Sequence, residues 1–210
     1  MYIAQDKRER VPKSGLKANG MRKKIELETI FEASKKVFSE YGFKKATLQD
    51  IADELDVTNS NLYIYFDGKK KLYDETLRFY LKKWFDKSFL PLINVRDPRG
   101  RLNLLMRNAA SFLVEDKRLL QMLKNDAGII DGLSPAGEFR LLYNDIIGSL
   151  SAIVKDGSDL ELIRAFDADA TAETLFRLYI SMRILPLLKG NASDDGVLED
   201  IVKFGLFSSF

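Results

Sequence analysis

Residues 47–66, TLQDIADELDVTNSNLYIYF, read as two short helices joined by a tight turn. Thr47 with Asp50 three residues on is a variant of the capping box, which satisfies free N–H groups at a helix start. Leu48, Ile51, Ala52 and Leu55 then recur at helical spacing and give one apolar face. Ala52 is small where a second helix must cross closely. Asp56 falls in the turn, at a position that calls for left-handed backbone, which Asp tolerates better than most residues other than Gly. Val57 plugs the corner and Thr58 opens the second helix as a cap. That helix carries Leu62 and Phe66 inward and leaves Asn59, Ser60, Asn61, Tyr63 and Tyr65 for other faces.

This layout is a helix-turn-helix, whose second helix can enter a DNA major groove with its N-terminal residues on base edges. Small and amide side chains suit that position because they approach bases closely and pair with their edges. Caps and apolar spacing also occur in any helical hairpin, so the spacing alone leaves both readings open.

The flanks add a resemblance. IFEASKKVFSEYGFKKATLQDIADEL precedes and overlaps the motif, and LYIYFDGKKKLYDETL closes it. Together they resemble the amino-terminal domain of the TetR family of bacterial transcription regulators. The matching elements are Phe38, Gly42, Thr47, Ile51-Ala52, Leu62-Tyr63-Ile64-Tyr65-Phe66 and Lys69, and the likeness covers about residues 21–81. It implies that Tyr63 and Lys69 hold the DNA backbone, and that Gln49, Asn59, Ser60, Asn61 and Tyr65 face the groove. Thr47 and Thr58 belong to the same DNA-binding set, and Asn61 is the residue expected on a base, most naturally adenine. Lys45, just before the motif, can reach phosphate or sit in a solvated turn. Three positions depart from the family's pattern: Asp56 replaces a glycine, Gly68 a polar cap and Lys70 a glutamate. Lysines at 69–71 oppose the dipole of the helix they open, which becomes reasonable if a phosphate occupies that end.

Composition sets the outer bounds. The 210 residues contain no cysteine and no histidine, so disulfides, Cys/His zinc sites and histidine-based catalysis are excluded. Neither cofactor nor metal is expected. The first twenty residues lack the apolar core of a secretory signal, and the longest apolar run, from Tyr179 to Leu188, is too short to span a bilayer. The expectation is a cytoplasmic, nucleoid-associated protein with no membrane partner. Net charge is only +2, but residues 1–90 hold 19 Lys/Arg against 14 Asp/Glu and the remainder 14 against 17. A basic front and a mildly acidic rear suit a split between DNA binding and another task.

Along the chain, residues 1–20 read as a mobile basic tail, either solvated or following the duplex as an arm. Met21 is an alternative start. Residues 21–68 form the expected DNA-binding domain, whose first helix runs over 21–41 and stops at Gly42. Residues 69–210 form the expected effector-binding and dimerisation domain. Its helices are expected near 72–90, 101–115 and 117–124, then from Ser134-Pro135 to Gly157, and over 168–189 and 195–208, with a loop over 126–135 and a capping box at Ser158 and Glu161. No strand-like alternation stands out, so the fold class is all-α.

Aromatics Trp84, Phe85, Phe112, Phe139, Tyr143 and Phe176 either line a ligand cavity or make plain core. The family habit of binding small effectors favours an apolar effector, either neutral or anionic. Arg183 would meet that ligand, meet a carboxylate across a dimer, or reach solvent. Leu175, Tyr179, Met182, Val197, Ile201 and Phe204 on the last two helices either pair with a twin subunit or complete the monomer. The dimer is favoured because one helix-turn-helix contacts too little DNA to be tight and specific. The resulting expectation is a homodimeric repressor released from double-stranded DNA by a small effector. The alternative is a DNA-bound protein that recruits a protein partner. An enzyme fits worst, because no nucleotide-cradling glycine motif appears.

Overall fold

The computed structural model describes residues 24–126, 128–163 and 167–191, and all regular structure among them is helical. The expected tail, the expected helix over 195–208 and three of the dimer residues (Val197, Ile201 and Phe204) lie outside the described residues. Among the described residues, no helix is long and apolar enough to cross a membrane.

The front of the molecule is built from α1 (Leu27–Lys45), α2 (Leu48–Glu54) and α3 (Asn59–Leu62). In α1 the residues Ile30, Phe31, Val37 and Phe38 are buried, whereas Leu27 and Tyr41 are exposed. The helix breaks at Gly42, whose φ of 71° is left-handed backbone that glycine adopts without a steric cost. That break turns the chain toward Thr47.

Helix α4 (Lys69–Phe89) opens on the lysines at 69–71, as expected, and packs on both α1 and α5 (Pro98–Glu115). It is the bridge between front and rear, as its broad apolar surface requires: Leu72, Tyr73, Leu77, Tyr80, Leu81 and Trp84 are all buried. A 3-10 turn over Leu90–Asn94 leads to α5, which Asp97 caps by accepting from the N–H groups of Arg99 and Gly100. Helix α6 (Lys117–Asn125) then returns to lie against α1.

The next stretch corrects two expectations. Residues 126–135 are not all loop, because Gly128–Gly132 form a short α7. The following helix, α8 (Arg140–Asp159), does not open at Ser134. Ser134 donates its hydroxyl back to Asp131 O instead of capping, and Phe139 N–H bonds Gly132 O at 3.0 Å, holding a tight loop. The expected cap at Ser158 and Glu161 is also absent: α8 runs on to Asp159, and Glu161 has a φ of 57°. Asp167 instead caps α9 (Ala168–Tyr179), which packs along α8. The single helix expected over 168–189 is divided, with a π turn over Ile180–Ile184 before α10 (Leu185–Leu188). Pro186 lacks an N–H and its ring crowds the preceding turn, and a widened turn absorbs that misfit.

Candidate nucleic-acid interface

The outward surface of the front domain is organised by how α2 begins and ends. Thr47 N–H donates to Asp50 Oδ2 at 2.8 Å, and Asp50 N–H donates to Thr47 Oγ1 at 3.1 Å, closing the expected capping box. At the other end Asp56 has a φ of 52°, as the turn reading predicts. Val57 N–H bonds Ala52 O at 3.0 Å and Asp56 N–H bonds Asp53 O at 3.2 Å. Those two bonds are the Schellman closure of a helix C-terminus, which places its left-handed residue at Asp56. The Lys36 ammonium pairs with Glu54 at 2.6 Å and ties α2 to α1. Helix α2 is therefore fixed at both ends and along one side.

Helix α3 is only four residues long as regular helix, and Thr58 sits at its N-cap position without a side-chain capping bond, contrary to expectation. Leu62 and Phe66 are buried and anchor the segment against Leu48, Ile51 and Ala52 in the same core. What remains outward is Thr58, Ser60 and Tyr63, all exposed, with Asn59 and Asn61 half-buried beside them. Gln49 is exposed on α2, where it donates to Asp53 Oδ1 at 2.7 Å, and Lys45 is exposed at the end of α1. Ile64, 56% exposed next to Tyr63, joins this surface. Sequence reading passed over it, although an isoleucine between two tyrosines and outside the Leu62–Phe66 spacing is the available signal.

Two expected DNA contacts are turned inward. The Lys69 ammonium lies 2.7 Å from Phe43 O, 2.9 Å from Ala46 O and 3.4 Å from Lys44 O, and over the Phe43 ring. It caps the carbonyl end of α1 rather than facing outward. The Tyr65 hydroxyl accepts the Ile25 N–H at 2.9 Å and is likewise engaged within the fold. The adjoining lysines also have protein partners: Lys70 holds Asp74 at 2.6 Å and Glu138 at 3.4 Å, and Lys71 holds Glu75 at 2.8 Å. The bond to Asp74 raises Lys70 above the ordinary lysine value, and burial pushes the Asp74 carboxyl up. Carboxylates one turn on thus offset the lysines at the start of α4, and no phosphate is needed there. Gly68 supplies the entry to α4 with a φ of 137°, where a side-chain cap would be strained.

In the rear, the six expected pocket aromatics do not converge. Trp84 and Phe176 line one apolar cavity between α4, α5, α8 and α9, together with Leu105, Met106, Ile146 and Tyr179. Its empty space, open mouth included, is about 530 Å³, of which about 50 Å³ admits the centre of a water molecule. Phe139 faces a different cavity beside Asp74 and Glu138, while Tyr143 and Phe176 border an open groove near Arg177 and Ser181. Phe85 stacks on Phe89 with ring centroids 4.6 Å apart, and Phe112 is half-buried against the core. Two residues expected at a dimer interface, Leu175 and Tyr179, line the Trp84 cavity, and Met182 is half-buried in the π turn.

Comparison with known proteins places this geometry. Residues 30–76 match the family described as bacterial regulatory proteins, tetR family. The HTH-type transcriptional repressor KstR2 of Rhodococcus jostii is 28% identical over 155 residues, covering 70% of this chain and 71% of that protein. The HTH-type transcriptional regulator YhgD of Bacillus subtilis is 23% identical over 156 residues, covering 73% of this chain and 80% of that one. Among solved structures, SmeT, the repressor of the Stenotrophomonas maltophilia multidrug efflux pump SmeDEF, superposes with a TM-score of 0.71 at 19% identity, covering 88% of this chain and 92% of that one. A Saccharomonospora viridis protein in complex with choline superposes with a TM-score of 0.66 at 22% identity, covering 87% and 98%. These structural likenesses show a shared fold. The matched segment falls on α1, α2, α3 and the start of α4, so residues 30–76 carry the helix-turn-helix domain of the TetR family of bacterial regulatory proteins.

Proposed function

We propose that this regulator is a repressor that binds a pseudo-palindromic operator as a homodimer and leaves it when a small apolar molecule enters the rear domain. Residues 21–68 form the reading head in this proposal, and residues 69–210 form the sensing and pairing part. The observation that carries the reading is the surface of α3: Thr58, Asn59, Ser60, Asn61 and Tyr63 are presented by a segment whose apolar side is locked down by Leu62 and Phe66. Asn61 takes the base-reading role, because an amide can pair two edges of adenine at once. Lys45, Thr47 and Tyr63 would make backbone contacts that fix register without carrying sequence information, with Gln49 facing the groove beside α3. A two-fold dimer would set the two α3 segments about 34 Å apart, one turn of DNA.

The Trp84 cavity supports the effector half of the reading, and the choline complex of a protein with the same fold is consistent with it. An effector can shift operator affinity only by binding one arrangement of the helices better than another. Gel shifts on the region upstream of the protein's own gene, combined with the mass of the complex in solution, test the proposal. Two subunits per site with salt-dependent affinity are expected. A monomer that ignores every duplex at low ionic strength would end it.

A further inference from the structure

We infer that the Trp84 cavity selects an uncharged chain molecule carrying one hydrogen-bonding end group, and that the Tyr179 hydroxyl is the group that reads it. The inference rests on the reading that the rear domain senses a small molecule, and it specifies the chemistry of that molecule.

Three observations combine. None of the side chains lining the cavity is charged, and Arg183 acts on the Tyr179 phenol only from outside the lining, so an ionised carboxylate or ammonium would enter without a counter-charge in contact with it, at a desolvation cost. Two of the lining residues carry a polar side-chain group. Trp84 Nε1 already donates to Ala109 O at 2.9 Å, while Tyr179 Oη is buried and has no hydrogen-bond partner among the described residues. An unmet buried hydroxyl is uncommon and unfavourable, and a ligand oxygen beside it would relieve that condition. Burial also holds the phenol well above its ordinary titration range, so it stays protonated and able to donate.

The shape favours a chain over a broad ring system. The α5 wall runs from Leu102 to Ala109, seven helical rises, or roughly 10 Å. The water-sized free space is small, so a slender alkyl group enters with the least rearrangement, and Met106 is the flexible side chain that can yield to it. Tyr179 stands immediately before the π turn, the kind of local widening often found where a helix serves a site. Arg183 lies one turn beyond Tyr179 and is not part of the lining, although its charge acts on the phenol.

The test uses the full-length protein with three ten-carbon probes: 1-decanol, sodium decanoate and decyltrimethylammonium. Thermal unfolding and calorimetric titration are expected to show binding of 1-decanol in preference to both ions. Tyr179→Phe should raise the melting temperature of the ligand-free protein, since it removes an unmet hydroxyl. The same change should weaken 1-decanol about three- to tenfold, the worth of one hydrogen bond. Equal or tighter binding of either ion, or undiminished 1-decanol binding by Tyr179→Phe, would overturn the inference. Operator release by decanoate would sink it while sustaining the effector reading. Binding of 1-decanol that leaves operator affinity unchanged would uphold the pocket chemistry and sink the effector reading instead.

Discussion

Lys69 has a structural role in this fold, and its removal separates two accounts of a lysine beside a helix-turn-helix. Its ammonium satisfies carbonyls of Phe43, Lys44 and Ala46 that the break at Gly42 leaves without helical partners. Lys69→Ala is therefore expected to cost about 1.5–3 kcal/mol of stability in urea titrations, the range for hydrogen bonds to a charged group. The salt slope of DNA binding should stay unchanged in that variant, whereas Lys45→Ala should reduce it by about one. A reduced slope in Lys69→Ala would restore the phosphate role. Asp56 offers a second test at this scale, because its φ of 52° is left-handed. Asp56→Val, β-branched, should destabilise by about 1–2 kcal/mol, while Asp56→Gly should be neutral or better. Tyr65→Phe should cost about 1 kcal/mol by leaving the Ile25 N–H without its acceptor.

Among elements, the joint between α1 and α6 is where front meets rear. Lys35 is nearly fully buried on α1, with its ammonium 2.8 Å from Asp116, 3.2 Å from Glu32 and 4.1 Å from the centre of the Tyr80 ring. Asp116 also caps α6 by accepting the Leu119 N–H. The Asn125 side-chain amide reaches Ser39 O at 3.2 Å, and the Tyr73 hydroxyl donates to Asp126 at 2.9 Å. Lys35→Met alone should cost about 3–5 kcal/mol because it strands the carboxylate, and Lys35→Met with Asp116→Ser should recover most of that, since serine keeps the cap. A double variant as unstable as the single one would show that the pair contributes more than mutual neutralisation. This joint was not legible in the sequence. Lys35 sits among apolar neighbours at helical spacing but looks like any solvated lysine, and its partner is 81 residues away. Short-range signals read well: the Thr47–Asp50 box, the turn at Asp56, the stop at Gly42, and the inward pair Leu62 and Phe66. Ser134-Pro135 misled because the same serine hydroxyl can bond a carbonyl behind it, a competition only the folded loop decides. Lys69 misled for a related reason, since its carbonyl partners converge only once α1 breaks. The aromatics of the rear were legible as buried, but which of them share a cavity depends on helix packing that periodicity does not encode.

At the scale of the whole molecule, α4 joins the reading surface to the Trp84 cavity. Its first turn holds the end of α1 through Lys69, and its last turns supply Trp84 and Phe89 to the cavity wall. A ligand that displaces Trp84 or Phe89 thus acts on the same rigid element that supports α2 and α3, and the proposed release of DNA follows from that continuity. The central claim is that α3 reads base edges while its surroundings only position it. The most direct measurement compares operator and scrambled duplexes at one fixed salt concentration, for the wild-type protein and Asn61→Ala. The account predicts that Asn61→Ala loses about 1–3 kcal/mol on the operator and essentially nothing on the scrambled duplex. An equal loss on both duplexes would contradict it.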